Sequence, residues 1–306
     1  MKKTEVAIIG AGVAGISAAI YLKRSNRDCL LLDKGAPGGK LLNIHQIDNY
    51  AGFGPISGME LAGKLFEHAS SFGVNYEYGN VLSILRQEDG SFLLTTDMDQ
   101  IEAKSVIVAT GTQNKLSGLP GEKEFNGRGV SYCATCDGNF FKGKDAAVIG
   151  YKDQAVQEAI YLAGLVNHLY FVHEKEIEAA ESHMDTLKSF SNVSFHQATP
   201  LAIKGEKLVS GLLVKENGEE KEYPLSGVFP LFGERSSSEF LANTGVSLDR
   251  GFLICNENME TDVPGLYGAG DCVKKKLRQV VTAASDGAIA ATSAVSYIHS
   301  LRKKEN

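Results

Sequence analysis

No stretch of this sequence stays apolar for long enough to cross a membrane as a helix. The longest weakly polar run, Val280 to Ile298, carries Ser285 and Asp286 among many alanines and reads as a buried helix. The first apolar run, Val6 to Ile9, stops at Gly10 and is too short for the core of a secretion signal. A cytoplasmic location is the expectation. Positive charge is not in excess: 31 Lys and Arg stand against 37 Asp and Glu, a net charge of −6. Nucleic acid, which needs a basic face, is therefore not an expected partner. Cysteine is scarce, at five residues, and without a secretion signal no disulfide framework is expected. Zinc is not expected either, because Cys29, Cys255 and Cys272 are scattered singly and supply no second ligand pair.

What is present is one close cysteine pair, Cys133-Ala134-Thr135-Cys136-Asp137. Two cysteines at this spacing can close a small disulfide, open to a dithiol or bind metal, and Asp137 sets a proton donor or acceptor beside them. The other motifs favour redox chemistry. The strand Val6 to Ile9 runs into Gly10-Ala11-Gly12-Val13-Ala14-Gly15, and Ile16 to Arg24 carries a helical pattern. In that context G-x-G-x-x-G signals dinucleotide binding: Gly10 for the turn, Gly12 for close approach to a pyrophosphate, Gly15 for helix–strand packing. The helix N-terminus adds N–H donors for the phosphates. A second strand, Cys29 to Leu32, ends at Asp33, an acid able to take the hydroxyls of an adenosine ribose. Two further stretches, Ser105 to Gly111 with its Ala109-Thr110-Gly111, and Leu266 to Asp271 with its Gly270-Asp271, resemble those of two-dinucleotide flavoproteins. In such proteins the Asp meets the ribityl chain of FAD, with the helix from about Gln279 behind it.

The chain also repeats itself. Val148-Ile149-Gly150-Tyr151-Lys152-Asp153-Gln154-Ala155 lies 140 positions after Ile8 to Gly15 (148 against 8), and Ala19-Ile20-Tyr21-Leu22 recurs as Ala159-Ile160-Tyr161-Leu162. A second nucleotide-type unit follows. Its glycines have changed: Lys152 stands where Gly12 stands, and Ala155 where Gly15 stands. A lysine there should keep the backbone from a pyrophosphate, unless its side chain turns away and binds phosphate by charge. The second strand of the repeat ends at His173-Glu174-Lys175-Glu176, where a 2′-phosphate would need arginines. NADPH is disfavoured by shape and by charge, and NADH by shape.

Taken together, these residues resemble the low-molecular-weight thioredoxin reductase family along the whole chain. The resemblance rests on the first glycine motif, Gly38-Gly39-Lys40-Leu41, Asp48 to Phe53, Ala109-Thr110-Gly111, Cys133 to Gly138, Gly268 to Asp271 and Leu277-Arg278-Gln279. The altered second loop resembles a minority branch that takes electrons from ferredoxin. The resemblance implies an α/β fold with two Rossmann-like domains of three-layer ββα type, the second inserted in the first. The FAD domain would comprise 1–115 and 244–306, and the inserted redox domain 116–243 with a β-meander within Lys207 to Phe232. FAD would be held by Gly10, Gly12, Ala14, Gly15, Asp33, Lys34, Gly39, Lys40, Leu41, Asn49, Ala109, Thr110, Gly111, Gly270, Asp271, Arg278, Gln279 and Val280. Cys136 would be the sulfur nearest the flavin, Cys133 the thiolate that attacks thioredoxin, and Asp137 the acid or base for the departing thiol. Thioredoxin would be the substrate, ferredoxin the donor, the enzyme a homodimer, and the inserted domain would rotate between flavin and thioredoxin. Lys274-Lys275-Lys276 and Arg278 form either a steering patch for an acidic donor or a solvated loop. Three other readings fit fewer residues. One is an NADPH-dependent thioredoxin reductase with an atypical loop. Another is a flavin-binding redox sensor or adaptor, which would not require Asp137. The third is a reductase for another dithiol protein, which usually carries an extra N-terminal domain.

Overall fold

A computed structural model describes residues 1–44 and 46–305. The chain divides into two compact units, Met1–Gln113 with Arg235–Asn306, and Asn114–Glu234. The first passage carries β1 (Lys2–Ile9), α1 (Val13–Arg24), β2 (Cys29–Asp33), α2 (Gly58–Ser71), β3 (Asn75–Tyr78), β4 (Val81–Arg86), β5 (Phe92–Thr96), β6 (Gln100–Val108) and β7 (Gln113–Asn114). The inserted unit runs through α3 (Ala134–Asp137), β8 (Asp145–Ile149), α4 (Asp153–Ala163), β9 (His168–His173), α5 (Glu181–Lys188), β10 (Val193–Gln197), β11 (Thr199–Gly205), β12 (Val209–Glu216), β13 (Glu219–Pro224), β14 (Gly227–Pro230) and β15 (Glu234–Arg235). The chain then returns through β16 (Leu248–Asp249), β17 (Phe252–Leu253), β18 (Leu266–Gly268) and α6 (Val280–Glu305). The expected joints were 115/116 and 243/244; the units divide at 113/114 and 234/235. The residues between the two later positions include Phe240 and Leu241, both buried among Val108, Leu253 and Leu266 in a core of the first unit.

In the first unit the strand order is β3-β2-β1-β6-β5-β4, with β18 alongside β6. The N-terminal half of β6 pairs antiparallel with β5, and its last residues pair parallel with β18. The Val6 to Ile9 run is buried throughout, as a central strand covered on both faces requires. The register aligns Ile9 with both Leu32 and Val108, and Val108 with Gly268. Four carboxyl-terminal strand ends therefore lie side by side, where open parallel sheets place their ligands. Helix α6 packs on α1 so closely that a Cβ on Gly287 would stand 2.1 Å from the Ala14 carbonyl oxygen.

The inserted unit has a parallel sheet, β10-β9-β8-β14, and an antiparallel meander, β11-β12-β13. The β12–β13 hairpin turns at Asn217 and Gly218, both in the left-handed region (φ 53° and 88°), as a tight hairpin asks. The third meander strand, β11, precedes the expected 207–232 window, and β14 inside that window returns to pair with β8. Among the described residues no helix is long and apolar enough to cross a membrane.

Candidate active site

The turn after β1 is built around missing side chains. Gly10 has φ 108°, and a Cβ there would meet the Ala109 carbonyl oxygen at 2.3 Å. A Cβ on Gly15 would lie 1.8 Å from the Gly10 carbonyl oxygen. Gly12 differs: a Cβ there would find nothing within 4 Å. The space above Gly12 is a cradle that a side chain would fill. It borders the N-terminus of α1, where Gly12 is the cap, no side chain caps the helix and no acid occupies the first turn. The 12-residue helix directs roughly half a positive charge at that space, which suits a diphosphate. Gly39 closes one wall, its Cβ position 3.3 Å from the Gly12 Cα, in a turn held by the Gly38 N–H donating to the Ala11 carbonyl oxygen at 2.8 Å.

Several of the expected cofactor residues are hydrogen-bonded to this turn or to one another. The Asp33 carboxylate accepts from the Ala11 N–H at 2.7 Å and the Gly35 N–H at 2.9 Å. Each oxygen retains a lone pair for a ribose hydroxyl. Lys40 Nζ donates to Thr112 Oγ1 at 2.5 Å and lies 3.7 Å from Asp271 Oδ2. Asn49 donates to Gln279 Oε1 at 3.1 Å, joining two segments 230 residues apart. Arg278 Nε donates to the Asp271 carbonyl oxygen at 3.1 Å, and its guanidinium lies 4.5 Å from the Phe252 ring centroid. Gly270 is fixed by Asp286, which accepts its N–H at 2.9 Å and pairs with Lys275. Ala109, Leu41 and Gly270 are buried, Lys34 is exposed at the rim, and Val280 opens α6.

The cysteine pair lies in the inserted unit. Cys133 and Cys136 are joined as a disulfide, with Cα atoms 5.3 Å apart. Cys133 caps α3, its Sγ accepting from the Cys136 N–H at 3.2 Å, with Thr135 Oγ1 3.3 Å away. The Asp137 carboxylate accepts from the Ser131 hydroxyl at 2.6 Å, and Ser131 Oγ in turn accepts from the Cys133 N–H at 3.2 Å. Glu158 of α4 accepts the Ala134 N–H.

Residues 4–287 match the family described as pyridine nucleotide-disulphide oxidoreductase. A thioredoxin reductase of Bacillus subtilis is 39% identical over 98% of this chain and 96% of its own. A crystal structure of thioredoxin reductase from Streptococcus pyogenes superposes with a TM-score of 0.93 at 36% identity, covering 97% of this chain and 99% of that one. A ferredoxin-flavin thioredoxin reductase from Clostridium acetobutylicum is 34% identical over 98% of this chain and 99% of its own, with a TM-score of 0.55. The chain belongs to the thioredoxin reductases of this family. They are flavoproteins, and the cofactor is FAD.

In this thioredoxin reductase the second cradle departs from the first in conformation as well as sequence. Gly150 is not in the left-handed region that Gly10 occupies. Lys152 caps α4 with φ −98° and ψ 161°, close to the −78° and −173° of Gly12, so within its own turn its Cβ projects where the corresponding direction at Gly12 is open. The segment after β9 is tied to this turn. The Glu178 N–H donates to the Tyr151 carbonyl oxygen at 2.7 Å, and Asp153 Oδ1 accepts from the Ala180 N–H at 3.0 Å and contacts His183 Nδ1 at 2.7 Å. Burial pushes the Asp153 carboxyl up, but the bonds from His183, Ala180 and Gln157 outweigh it and hold the group below its usual value. Lys175 Nζ lies 5.3 Å from the Tyr151 ring centroid and Lys152 Nζ 5.8 Å.

Sequence reasoning missed Ser131, Thr112, Glu158 and Asp286. Their partners are two to 72 residues away, and no spacing rule announces them. The basic run after Asp271 is largely engaged within its own unit: Lys274 pairs with Asp249 at 2.7 Å, Lys275 with Asp286, and Arg278 with main-chain oxygens, while Lys276 is exposed.

Proposed function

We propose that this thioredoxin reductase passes electrons from FAD to the Cys133–Cys136 disulfide and on to thioredoxin, and that it draws them from ferredoxin rather than from a nicotinamide. The reading rests above all on the second cradle, where a lysine Cβ takes the place of the open space above Gly12 and the 174–180 segment is hydrogen-bonded to the same turn. An acid, Asp153, also occupies the first turn of α4, at the helix end where a phosphate would be bound. The likeness to the Clostridium acetobutylicum ferredoxin-flavin enzyme supports this reading.

FAD, when bound, supplies two electrons to a disulfide and accepts electrons singly from a one-electron donor. Gly10, Gly12, Gly15 and the α1 N-terminus hold its diphosphate, Asp33 its adenosine ribose, and Asp271, positioned through Lys40 and Arg278, its ribityl chain. Asn49 and Gln279, which fix each other, would line its ring system. In the disulfide, Cys133 is the sulfur supported by the Cys136 N–H, so it is the better-stabilised thiolate and the one that attacks thioredoxin. Asp137, oriented by Ser131, exchanges the proton of the partner thiol.

Anaerobic mixing of the oxidised holoenzyme with NADPH, NADH or reduced ferredoxin, followed by flavin absorbance, tests the donor. Reduced ferredoxin bleaches the flavin within the mixing experiment and both nicotinamides leave it yellow. Fast bleaching by micromolar NADPH would return the protein to the nicotinamide-dependent reading.

A further inference from the structure

We infer that Glu158 is a positioning residue whose charge sets how readily the Cys133–Cys136 disulfide is reduced. The inference rests on the reading of that pair as the redox centre. Glu158 lies on α4, in the repeat that no longer presents an open cradle, and its carboxylate accepts the Ala134 N–H next to Cys133. That N–H is the first donor of the α3 turn whose Cys136 N–H supports Cys133 Sγ. The carboxylate thus acts in two ways: it anchors the turn, and it brings a negative charge to the main chain next to Cys133, whose sulfur becomes anionic on reduction. A second carboxylate, Asp137, faces the pair from α3 itself and is held by Ser131. The support from the Cys136 N–H and the Thr135 hydroxyl is opposed by Glu158, so the disulfide is kept harder to reduce than its hydrogen bonds alone would make it. A disulfide biased this way re-forms readily as Cys133 and Cys136 hand their two electrons to the disulfide of thioredoxin.

The test is thiol–disulfide equilibrium of the holoenzyme with dithiothreitol at about pH 8, where thiolates are populated. Two electrons and two protons pass from dithiothreitol to the pair, and alkylation with mass analysis counts Cys133 and Cys136. E158Q keeps an oxygen acceptor for the Ala134 N–H and removes the charge; E158A removes both. We expect the equilibrium to move toward the dithiol by about tenfold in E158Q, with alkylation of the reduced pair faster and the flavin spectrum unmoved. An equilibrium constant for E158Q within twofold of wild type overturns the inference, and so does a shift confined to E158A, which would make Glu158 a structural anchor only. Failure of the wild-type pair to cycle reversibly with dithiothreitol would instead count against its role as the redox centre.

Discussion

Gly12 and Gly15 stand three positions apart in one turn and answer substitution differently. A side chain at Gly12 meets nothing of the protein, and its backbone (φ −78°) suits any residue. A side chain at Gly15 collides with the Gly10 carbonyl oxygen, which is backbone and cannot step aside. G12V should therefore fold with a thermal midpoint close to that of flavin-free wild type, yet retain no FAD, because the valine occupies the diphosphate's space. G15V should lose about 3 kcal/mol or more of stability as a consequence of overpacking, whether or not FAD is added. Thermal unfolding of the apoproteins and flavin fluorescence after gel filtration read the two effects separately. Equal destabilisation by both substitutions would mean that the space above Gly12 is not a ligand's. At this scale the sequence was informative about glycines and cysteines, whose chemistry is intrinsic to the residue type. It was silent about Ser131, Glu158 and Asp286, common residue types made special only by a partner brought up by the fold.

Two elements of like sequence differ in the turns they carry. β1 with α1 and β8 with α4 share strand, turn and helix, and the repeat is plain along the chain. What the repeat could not convey is the Glu178 to Ala180 stretch hydrogen-bonded at the second turn, since main-chain pairing leaves no mark on residue identity. The meander was likewise read one strand short: β11, Thr199–Gly205, has Pro200 near one end and Lys204-Gly205 at the other, which blur its alternation. The hairpin that was read correctly, β12–β13, carries the clearest acid-sensitive group. Glu216 accepts from Lys221 at 2.6 Å and contacts His196 Nδ1 at 3.0 Å. The Lys221 bond first, then His196, lower its carboxyl from 4.5 to about 2. The folded state thus favours the carboxylate. The stability this adds is complete above pH 4.5 and is lost as pH falls through about 2. E216Q removes this dependence. Urea unfolding between pH 6 and pH 2, followed by circular dichroism, should show a flatter acid limb for E216Q than for wild type. Parallel limbs would mean that Glu216 titrates normally.

Across the whole molecule, one pair of sulfurs is joined as a disulfide and the other three cysteines are buried or half-buried lone thiols. Cys29 and Cys272 are buried, and desolvation pushes their thiols up to about 11. Cys255 is half-buried, and desolvation together with the nearby Cys272 pushes it up to about 12. At neutral pH a thiol with a pKa near 11 is ionised to about one part in ten thousand, and the thiolate is the species that reacts. Cys272, one residue after the Asp271 turn, donates to the Val108 and Ala269 carbonyl oxygens at 3.2 Å, as a small buried thiol does and a third redox group does not. The division between paired and lone sulfur was legible in the sequence, because a lone cysteine in an apolar strand and a pair flanking two residues are different patterns. The sequence bears on the electron donor only through its altered second loop, since docking surfaces for proteins carry no short motif. The sulfur economy makes a firm prediction. The native oxidised enzyme at pH 7 should release almost no chromophore from a disulfide thiol reagent within minutes. After reduction and removal of reductant under argon, native protein should show two reactive thiols, and the denatured reduced chain all five cysteines. A third fast thiol in the native reduced protein would show that Cys255 is open to solvent and chemically active, and the redox centre would then have to be redrawn to include it.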